Sequence, residues 1–245
     1  MSLTAQDIYA TVEATWPPAR QFRKGAWTHR DGAGGGKRVS SSTAEGPVGP
    51  ADIAAMEAEA AAMGQPPLVM IRDGEATLDA MLAAAGYAVV DPVVAYAAPV
   101  APLAVPPPPV TAFAHWPRLA VAEDIWATGG IGPGRLAVMD RAPGPKAALL
   151  ARSDDTPSGA GFIGVANGIA MIHALEVAPR FRRKGAARNM IAAAACWAAA
   201  QGAEWLTLVV TERNAGARAL YSSLGMAVVG HYHYRIRTDD DGAER

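Results

Sequence analysis

The chain has 245 residues, 51% of them hydrophobic, and its 22 basic and 23 acidic residues give a formal net charge of −1. This composition excludes a chain that is disordered throughout, and the length suffices for one large core or two modest ones. Because the net charge is close to zero, we expect no general electrostatic attraction to nucleic acid or to an anionic membrane.

Cysteine content and the lack of a long apolar segment bear on the compartment. Cys196 is the only cysteine, which excludes an internal disulfide and fits a reducing compartment. No charged segment followed by an apolar one opens the sequence, and no run reaches the roughly 20 apolar residues of a membrane span. We therefore expect a soluble, cytoplasmic protein that binds neither membranes nor nucleic acid.

A glycine-rich segment near the start is similar to a nucleotide-binding loop in letters only. Residues 31–37 lack the first glycine of a P-loop, which is Asp31 here, and Arg38 stands where Ser or Thr would bind magnesium. A hairpin turn between strands at 27–30 and 38–40 is predicted instead.

Helices and strands then alternate up to a proline-rich segment. The patterns predict a helix at 50–63, a strand at 68–71, a helix at 76–85 and a further strand after Gly86. Residues 99–109 are rich in proline, which lacks the N–H donor of regular elements, so this segment is predicted to be a linker. It divides the chain into two domains, 1–98 and 110–245.

The second predicted domain contains most of the strands. Strands are expected near 147–152, 161–165, 170–177, 205–210, 226–230 and 232–237, and helices at 186–201 and from the N-cap Asn214 to Leu224. Residues 132–137 match a dinucleotide-binding pattern in letters, but Pro133 occupies the tight turn and no strand precedes it, so a loop is predicted. Strands around two helices in this order predict an α+β, or mixed α/β, fold in which helices flank a mixed sheet.

The first domain repeats the end of the second in a weakened form. Aligning Gly86 with Gly225 brings helix, strand, helix and strand into the same order in both. The alignment pairs Leu82 with Tyr221, and the polar and basic residues of the second copy are missing from the first. We predict a duplicated fold whose amino-terminal copy is a scaffold; a coincidental order of elements is the alternative.

A basic loop precedes the predicted helix at 186–201. Three cations are followed by three residues with almost no side chain: Arg182, Arg183, Lys184, Gly185, Ala186 and Ala187. The N–H groups of a helix's first turn have no partner in the helix, and the helix dipole places partial positive charge there. Small residues also let a ligand approach the main chain closely. The segment therefore predicts a pyrophosphate site.

Residues 182–187 resemble the Arg/Gln-x-x-Gly-x-Gly/Ala acetyl-CoA motif of the GNAT acyltransferase superfamily. Residues 214–221, followed by 224–226, resemble that family's second signature block in its order and spacing. Together the similarities cover residues 170–230, and Ala187 departs from the glycine that many members carry. The resemblance implies a GNAT-like acyl-CoA acyltransferase fold, and the amino-terminal domain is similar to the silent half of tandem members.

Three residues at i, i+3 and i+7 lie on one face of a predicted helix: Asn214, Ala217 and Tyr221. The resemblance implies that Asn214 hydrogen-bonds the pantetheine arm, that Ala217 leaves room for it and that Tyr221 protonates the leaving thiolate. It also assigns the oxyanion to the backbone N–H of Val177 and places Leu175 among the cofactor-binding residues. An ordinary core residue with a polar tip is the alternative for Tyr221.

Transfer to an amine needs a base, because an amine with a pKa of about 10.4 is mostly protonated at neutral pH. His173 and Glu176, on the predicted strand before the basic loop, are the candidates. In a regular strand they face opposite ways, but enzymes that this chain resembles break the strand with a bulge. A buried histidine that supports other residues is the alternative for His173.

The last predicted strand alternates histidine and tyrosine. His231 and His233 share one face, and Tyr232 and Tyr234 share the other. Two interpretations of the histidines are open: they line the acceptor pocket, or they belong to an ordinary edge strand, which we favour. No third ligand stands at metal spacing, so we expect no metal.

The sequence thus predicts an N-acetyltransferase that moves an acetyl group from acetyl-CoA to a primary amine in a ternary complex. The acceptor, a small molecule or a peptide, is not identified by any residue pattern, and the oligomeric state is left open. A non-catalytic acyl-CoA-binding sensor or regulatory module is the alternative.

Overall fold

The computed structural model describes residues 3–237; residues 1–2 and 238–245, at the outer ends of the two predicted domains, lie outside the described part. The helices are α1 (Ala5–Thr15), α2 (Lys37–Ser40), α3 (Pro50–Ala62), α4 (Ala76–Ala84), α5 (Val100–Leu103), α6 (Ala120–Thr128), α7 (Pro133–Arg141), α8 (Ala186–Ala200) and α9 (Ala215–Ser223). The strands are β1 (Arg20–Lys24), β2 (Trp27–Asp31), β3 (Thr43–Ala44), β4 (Leu68–Arg72), β5 (Tyr87–Pro99), β6 (Ala112–His115), β7 (Lys146–Ser153), β8 (Thr156–Ala166), β9 (Ile169–Val177), β10 (Trp205–Thr211) and β11 (Ala227–Arg237).

Eight strands form one sheet in the order β4-β11-β5-β10-β9-β8-β7-β6, and β1, β2 and β3 form a separate sheet. In the large sheet β9 and β10 pair in parallel, whereas the other neighbours are antiparallel. The predicted mixed α/β class, with helices flanking a mixed sheet, is confirmed. No helix within residues 3–237 is both long and apolar enough to cross a membrane.

Helices cover both faces of the large sheet, which explains the long apolar runs in its strands. In β7, the buried Leu149 lies in the hydrophobic cluster that contains the inner face of α8. Its neighbour Leu150 lies in a different cluster, with Trp126 of α6 and Met139 of α7. Consecutive residues therefore enter opposite cores, and the sheet is held between two hydrophobic layers.

The two halves of the chain exchange strands at the centre of the sheet. β5, from the first half, lies between β10 and β11 of the second. In turn β11 lies between β5 and β4. Each strand–helix–strand unit, β4–α4–β5 or β10–α9–β11, thus places its last strand beside the first strand of the other unit.

The registers of the exchanged strands are also related. Arg72 pairs with Tyr232 where β4 meets β11. The sequence alignment of the two copies converts this pair into Thr211 with Val93, and these two residues do pair where β10 meets β5. This two-fold relation supports the predicted duplication.

The predicted domain boundary does not separate two sheets. Pro99 is the last residue of β5, and Val100–Leu103 form α5, so the expectation that 99–109 holds no regular element is wrong for its first residues. One helical turn is compatible with the prolines because the N–H that closes it belongs to Ala104. The assignment of residues 1–98 to a separate domain stays a prediction.

Two local predictions are wrong. β2 pairs with β1 and β3, and the residues predicted as its hairpin partner, 38–40, lie in α2. Val39 is buried in the same cluster as Val138, so tertiary packing favours a helical turn there. The predicted loop at 132–137 is the start of α7, where Pro133 takes the first helical position, which needs no N–H.

Substitution of Leu82 tests whether the two halves of the chain unfold together. It is fully buried in a cluster with Trp27 and Met56, so we expect Leu82→Ala to lower the free energy of unfolding by about 2–5 kcal/mol. Because β5 belongs to the common sheet, urea unfolding followed by circular dichroism and fluorescence is expected to show one shifted transition. Leu119→Ala, at a position that is 48% exposed, is the control. Two transitions, of which only one moves, would contradict a shared sheet.

Candidate functional site

The parallel pairing of β9 and β10 stops before either strand ends. It joins residues 169–172 to residues 205–208, although β9 continues to Val177 and β10 to Thr211. Beyond these pairs the two strands separate, and the sheet is open between them.

Two cavities meet at this opening. One, of about 600 Å³, is lined by the first turn of α8 and by one face of α9, and we call it the α8 cleft. The other, of about 390 Å³, is lined by Arg38 of α2 and by parts of β9 and β11, and we call it the Arg38 cavity. Leu175, Asn214 and Tyr221 line both, so ligands in the two cavities can meet there.

β9 contains a β-bulge beside the opening. His173 pairs with Phe162 of β8. Three residues later Glu176 pairs with Ala160, which is only two residues from Phe162. Ala174, with a φ of 51°, lies within the bulge. His173 and Glu176 therefore share one face of the sheet, and the bulge that the family resemblance implies is present.

The main-chain N–H of Val177 points away from β8. The next residue, Ala178, donates its N–H to Ser158 of β8 at 2.9 Å, and successive residues of a strand direct their N–H groups to opposite edges. The Val177 carbonyl, on the same edge as its N–H, accepts a hydrogen bond from Arg182 Nε at 3.0 Å. The Val177 N–H is thus directed to the opening between β9 and β10.

The basic turn after β9 forms one end of the α8 cleft. A single 3-10 turn, Pro179–Phe181, is followed by Arg183 with a φ of 64° and Gly185 with a φ of 88°, after which α8 begins. This left-handed backbone favours glycine at position 185, and a β carbon there would have no other atom within 4 Å. The predicted residues that line the cleft are Leu175, Glu176, Val177, Arg182, Arg183, Gly185, Ala186, Ala187, Asn214, Ala217 and Tyr221.

Lys184 is absent from this lining. Its Nζ lies 5.7 Å from the centre of the Phe181 ring instead. Sequence reasoning missed Arg188, Leu220 and Ser223, which do line the cleft, and Arg188 Nη2 donates to Ser223 Oγ at 2.9 Å. Arg188 and Leu220 follow the predicted Gly185 and Ala217 by about one helical turn, and Ser223 follows Leu220 by another, so helical spacing could have indicated them.

Tyr221 is held by α9 with its hydroxyl protonated. Asn214, the N-cap of α9, accepts a hydrogen bond from the Ala217 N–H through Oδ1 at 3.1 Å. The buried ring of Tyr221 lies 5.6 Å from that of Tyr96, centre to centre. Burial and the neighbouring Tyr96 raise the pKa of Tyr221 to about 12. The phenol therefore keeps its proton at neutral pH and can donate it to a group in the opening.

His173 is buried, and both of its ring nitrogens are engaged. Nδ1 lies 3.0 Å from Arg38 Nη1, and because a guanidinium only donates, Nδ1 accepts. The ring proton is then on Nε2, which donates to Thr15 Oγ1 at 2.7 Å, while Thr15 donates to the Thr11 carbonyl at 2.6 Å. The ring also stacks on Trp16, with centres 4.9 Å apart.

This environment makes His173 a weak base. Burial, together with the Arg38 charge, holds the pKa of His173 well below its ordinary value of 6.5. Its single basic lone pair already accepts from Arg38. The arrangement agrees with the alternative that the sequence left open, a buried histidine that supports another residue.

Glu176 has one engaged and one free carboxylate oxygen. Oε1 accepts a hydrogen bond from Arg182 Nη2 at 3.1 Å. No side chain or N–H among residues 3–237 donates to Oε2. The side chain passes close to Gly129, where a β carbon would lie 2.6 Å from Glu176 Cγ, so a larger residue at 129 would displace it.

The Arg38 cavity gathers residues that sequence reasoning missed. Distant segments contribute to its lining: Lys37, Arg38, Asp91, Arg135, Tyr232 and Tyr234. The tyrosines of β11 line it, and His231 and His233 do not. β11 is also an interior strand between β4 and β5, so the favoured edge-strand interpretation is wrong. The glycine-rich segment ahead of Lys37 was the one feature of the local sequence that could have indicated this cavity.

The remaining candidate metal ligands are dispersed. Cys196 is a free thiol, half-buried in α8. His233 Nε2 lies 2.7 Å from Asp79 Oδ1. Across the part of the chain that the structure describes, no three His, Cys, Asp or Glu side chains are grouped so as to hold a metal ion.

The large sheet thus opens between two parallel strands, and a basic helix start lies on one side of the opening. A family model described as the acetyltransferase (GNAT) family matches residues 103–226, so the chain belongs to that family.

Individual relatives are consistent with this family. The uncharacterized N-acetyltransferase YobR of Bacillus subtilis (strain 168) is 29% identical over 100 residues, which span 41% of this chain and 40% of YobR. A GCN5-related N-acetyltransferase from Kribbella flavida superposes with a TM-score of 0.74 at 20% identity, over 99% of this chain and 97% of that one. A tandem GNAT protein from the clavulanic acid biosynthesis pathway superposes with a TM-score of 0.61 at 12% identity, over 96% and 89% of the two chains. The two structural likenesses show the fold.

The buried neutral His173 makes stability depend on pH. A histidine whose pKa is lowered by folding contributes stability that is complete above about pH 6.5 and is lost as the pH falls below that value. Between pH 7.5 and 5.5 we expect this one group to remove about 1 kcal/mol from the free energy of unfolding. Urea unfolding at both pH values is expected to show a smaller loss for His173→Gln than for the wild type. Equal losses would contradict a buried, neutral imidazole.

Proposed function

We propose that the protein transfers an acetyl group from acetyl-CoA to a primary amine by direct attack in a ternary complex. The observation that carries the proposal is the opening between β9 and β10, at which the α8 cleft and the Arg38 cavity share Leu175, Asn214 and Tyr221. A donor in the first and an acceptor in the second would approach from opposite faces of the sheet. We also propose a cytoplasmic location, which the free thiol of Cys196 suits.

The α8 cleft has the chemistry of a coenzyme A site. The first turn of α8 offers unpaired N–H groups to a pyrophosphate, and Arg182 and Arg183 add charge at the same end. The pantetheine arm would run along α9, where Ala217 has a minimal side chain. Asn214 uses its Oδ1 as a cap, which leaves its amide nitrogen to donate to the arm. Lys184 would act only through longer-range attraction.

The opening supplies the two hydrogen-bond donors that acyl transfer needs. The amine nitrogen attacks the thioester carbonyl carbon, and the N–H of Val177 stabilises the negative charge that develops on the oxygen. The C–S bond then breaks, and Tyr221 donates its proton to the sulfur. A thiol with a pKa near that of cysteine, about 8.5, needs only modest assistance to leave.

Glu176 is the better of the two predicted bases. His173 has its lone pair occupied by Arg38, whereas Glu176 keeps one oxygen free and lies on the same face of β9 because of the bulge. A pyrophosphate would compete with this carboxylate for Arg182. Donor binding would thereby release Glu176 to accept the ammonium proton, directly or through water.

Tyr221→Phe tests the general acid. Removing the hydroxyl preserves the ring that packs on Tyr96, so we expect the dissociation constant for coenzyme A to change little while kcat falls on the order of 10²-fold. Thiol release from acetyl-CoA with a panel of amines measures kcat. Tyr96→Phe, which removes a neighbouring hydroxyl outside both cavities, is the matched control and is expected to keep kcat. Unchanged turnover in Tyr221→Phe would remove this residue from the mechanism.

Gly185→Glu tests the pyrophosphate site. Gly202, at the other end of α8, is a matched control because it also has a positive φ and open space around its β position. Both substitutions impose the same backbone cost, but only Gly185→Glu adds bulk and negative charge to the cleft. We expect calorimetry to show coenzyme A binding weakened by about tenfold or more for Gly185→Glu and unchanged for Gly202→Glu. Equal affinities would place the phosphates elsewhere.

A further inference from the structure

We propose that the acceptor amine also carries a carboxylate group and that Arg38 binds this carboxylate. The inference rests on the proposed acetyl transfer and specifies its second substrate. The acceptor would be an α-amino acid or a similarly small amino carboxylate, held in the Arg38 cavity with its amine at the opening.

Arg38 is a half-buried cation without a carboxylate partner among the described residues. Its Nη1 donates to His173, but its Nε is fully buried and has no hydrogen-bond partner. Within residues 3–237 no carboxylate lies within 4 Å of its guanidinium. Two nearby arginines differ: the buried Arg30 pairs with Glu13 at 2.6 Å, and the half-buried Arg72 pairs with Glu75 at 2.5 Å. Because a guanidinium with a buried, unpartnered N–H is costly, an anionic ligand is the partner that Arg38 lacks.

The charge of the Arg38 cavity is positive overall. Lys37 pairs with Asp91 at 3.0 Å, and Asp91 also lies 3.4 Å from Arg213 outside the cavity lining. Arg135 lines the cavity too and has no ion-pair partner among the described residues. One carboxylate therefore faces three cationic side chains, so a ligand that brings a negative charge is favoured over a simple cationic amine.

Arg38 is held in place before any ligand binds. His173 fixes one of its terminal nitrogens, and the guanidinium lies over the Trp16 ring, with its carbon 5.9 Å from the ring centre. His173 is itself fixed by Thr15. A planar guanidinium with restricted rotation suits a planar carboxylate, which it can bind through two parallel hydrogen bonds. His173 is on this account a positioning residue for Arg38.

The segment that carries Arg38 is fixed by a close main-chain contact with α7. A β carbon at Gly134 would lie 2.3 Å from the Gly34 carbonyl oxygen, so the glycine-rich segment can approach α7 only because residue 134 is glycine. Val39 is buried on the same side. The first half of the chain thus supplies the acceptor-binding cation, while the second half supplies the reacting groups.

The dimensions also favour a small acceptor. The cavity of about 390 Å³ extends from Arg38 to Leu175, Asn214 and Tyr221, where the donor thioester would lie. A ligand with a carboxylate at one end and an amine at the other can therefore contact Arg38 and reach the opening at once. Tyr232 and Tyr234 line the cavity beside Arg38.

Matched acceptors test the proposal. Thiol release from acetyl-CoA is measured with each common amino acid, with its amide and with the amine that lacks the carboxylate, for example phenylalanine, phenylalaninamide and phenethylamine. We expect the accepted compounds to be amino acids, with kcat/KM at least about tenfold above that of their two partners. Arg38→Gln is expected to remove this preference, Arg38→Lys to retain part of it, and the exposed Arg23→Gln to leave it unchanged. Coenzyme A affinity is expected to be the same in all of these variants.

Several outcomes would overturn the proposal. They are faster turnover of amines without a carboxylate, an undiminished preference in Arg38→Gln, or use of phosphoethanolamine ahead of every amino acid. If coenzyme A binds but no amino acid is acetylated or raises the melting temperature of the coenzyme A complex, the acceptor inference fails and the proposed donor site stands. If coenzyme A itself does not bind, the proposed function fails first.

Discussion

The separation of β9 from β10 is the constraint on which the site depends. Two parallel strands that stayed paired would close the sheet and use the Val177 N–H in the ladder. Because they separate, that N–H, the Tyr221 phenol and both cavities come to one opening. The bulge beside it places Ala174, a residue with a β carbon, at a positive φ, and Trp126 anchors the bulge by donating its indole N–H to the Ala174 carbonyl at 2.8 Å. Local strain is thus sustained by a buried tryptophan at the place where the proposed chemistry occurs.

The donor side of the site was predictable because its residues are close in sequence. The basic turn at 182–187 and the helix face at 214–221 each have a local signature, and most of the residues named in them line the α8 cleft. The exception, Lys184, shows what a local pattern cannot give, because the direction of a side chain in a turn depends on the neighbouring Phe181. The bulge in β9 was expected only through the family resemblance. That it places Glu176 on the same face as His173 could be seen only from the register between β8 and β9.

The Arg38 side was not predictable because it is assembled from distant segments. His173 is 158 residues from Thr15 and 135 residues from Arg38, so no pattern in the sequence could decide between a base and a supporting residue. By local rules, residues 31–37 predict a hairpin turn and Pro133 predicts a loop. Packing between Val39 and α7 instead favours the helices α2 and α7 at these places. The strand exchange was not predictable either, because the residue pattern of β5 indicates that it is a strand but not which strands it pairs with.

The position of β5 has a consequence for how the chain acquires its fold. This strand leaves the ribosome about a hundred residues before β10 and still further ahead of β11, yet these are the two strands that satisfy its main-chain groups. During synthesis the main-chain groups at both edges of β5 must therefore stay solvated or be covered by another segment until β10 and β11 have been made. The centre of the large sheet is therefore assembled only after β11 has been made, whereas the separate sheet of β1, β2 and β3 contains only strands that are synthesised before β5.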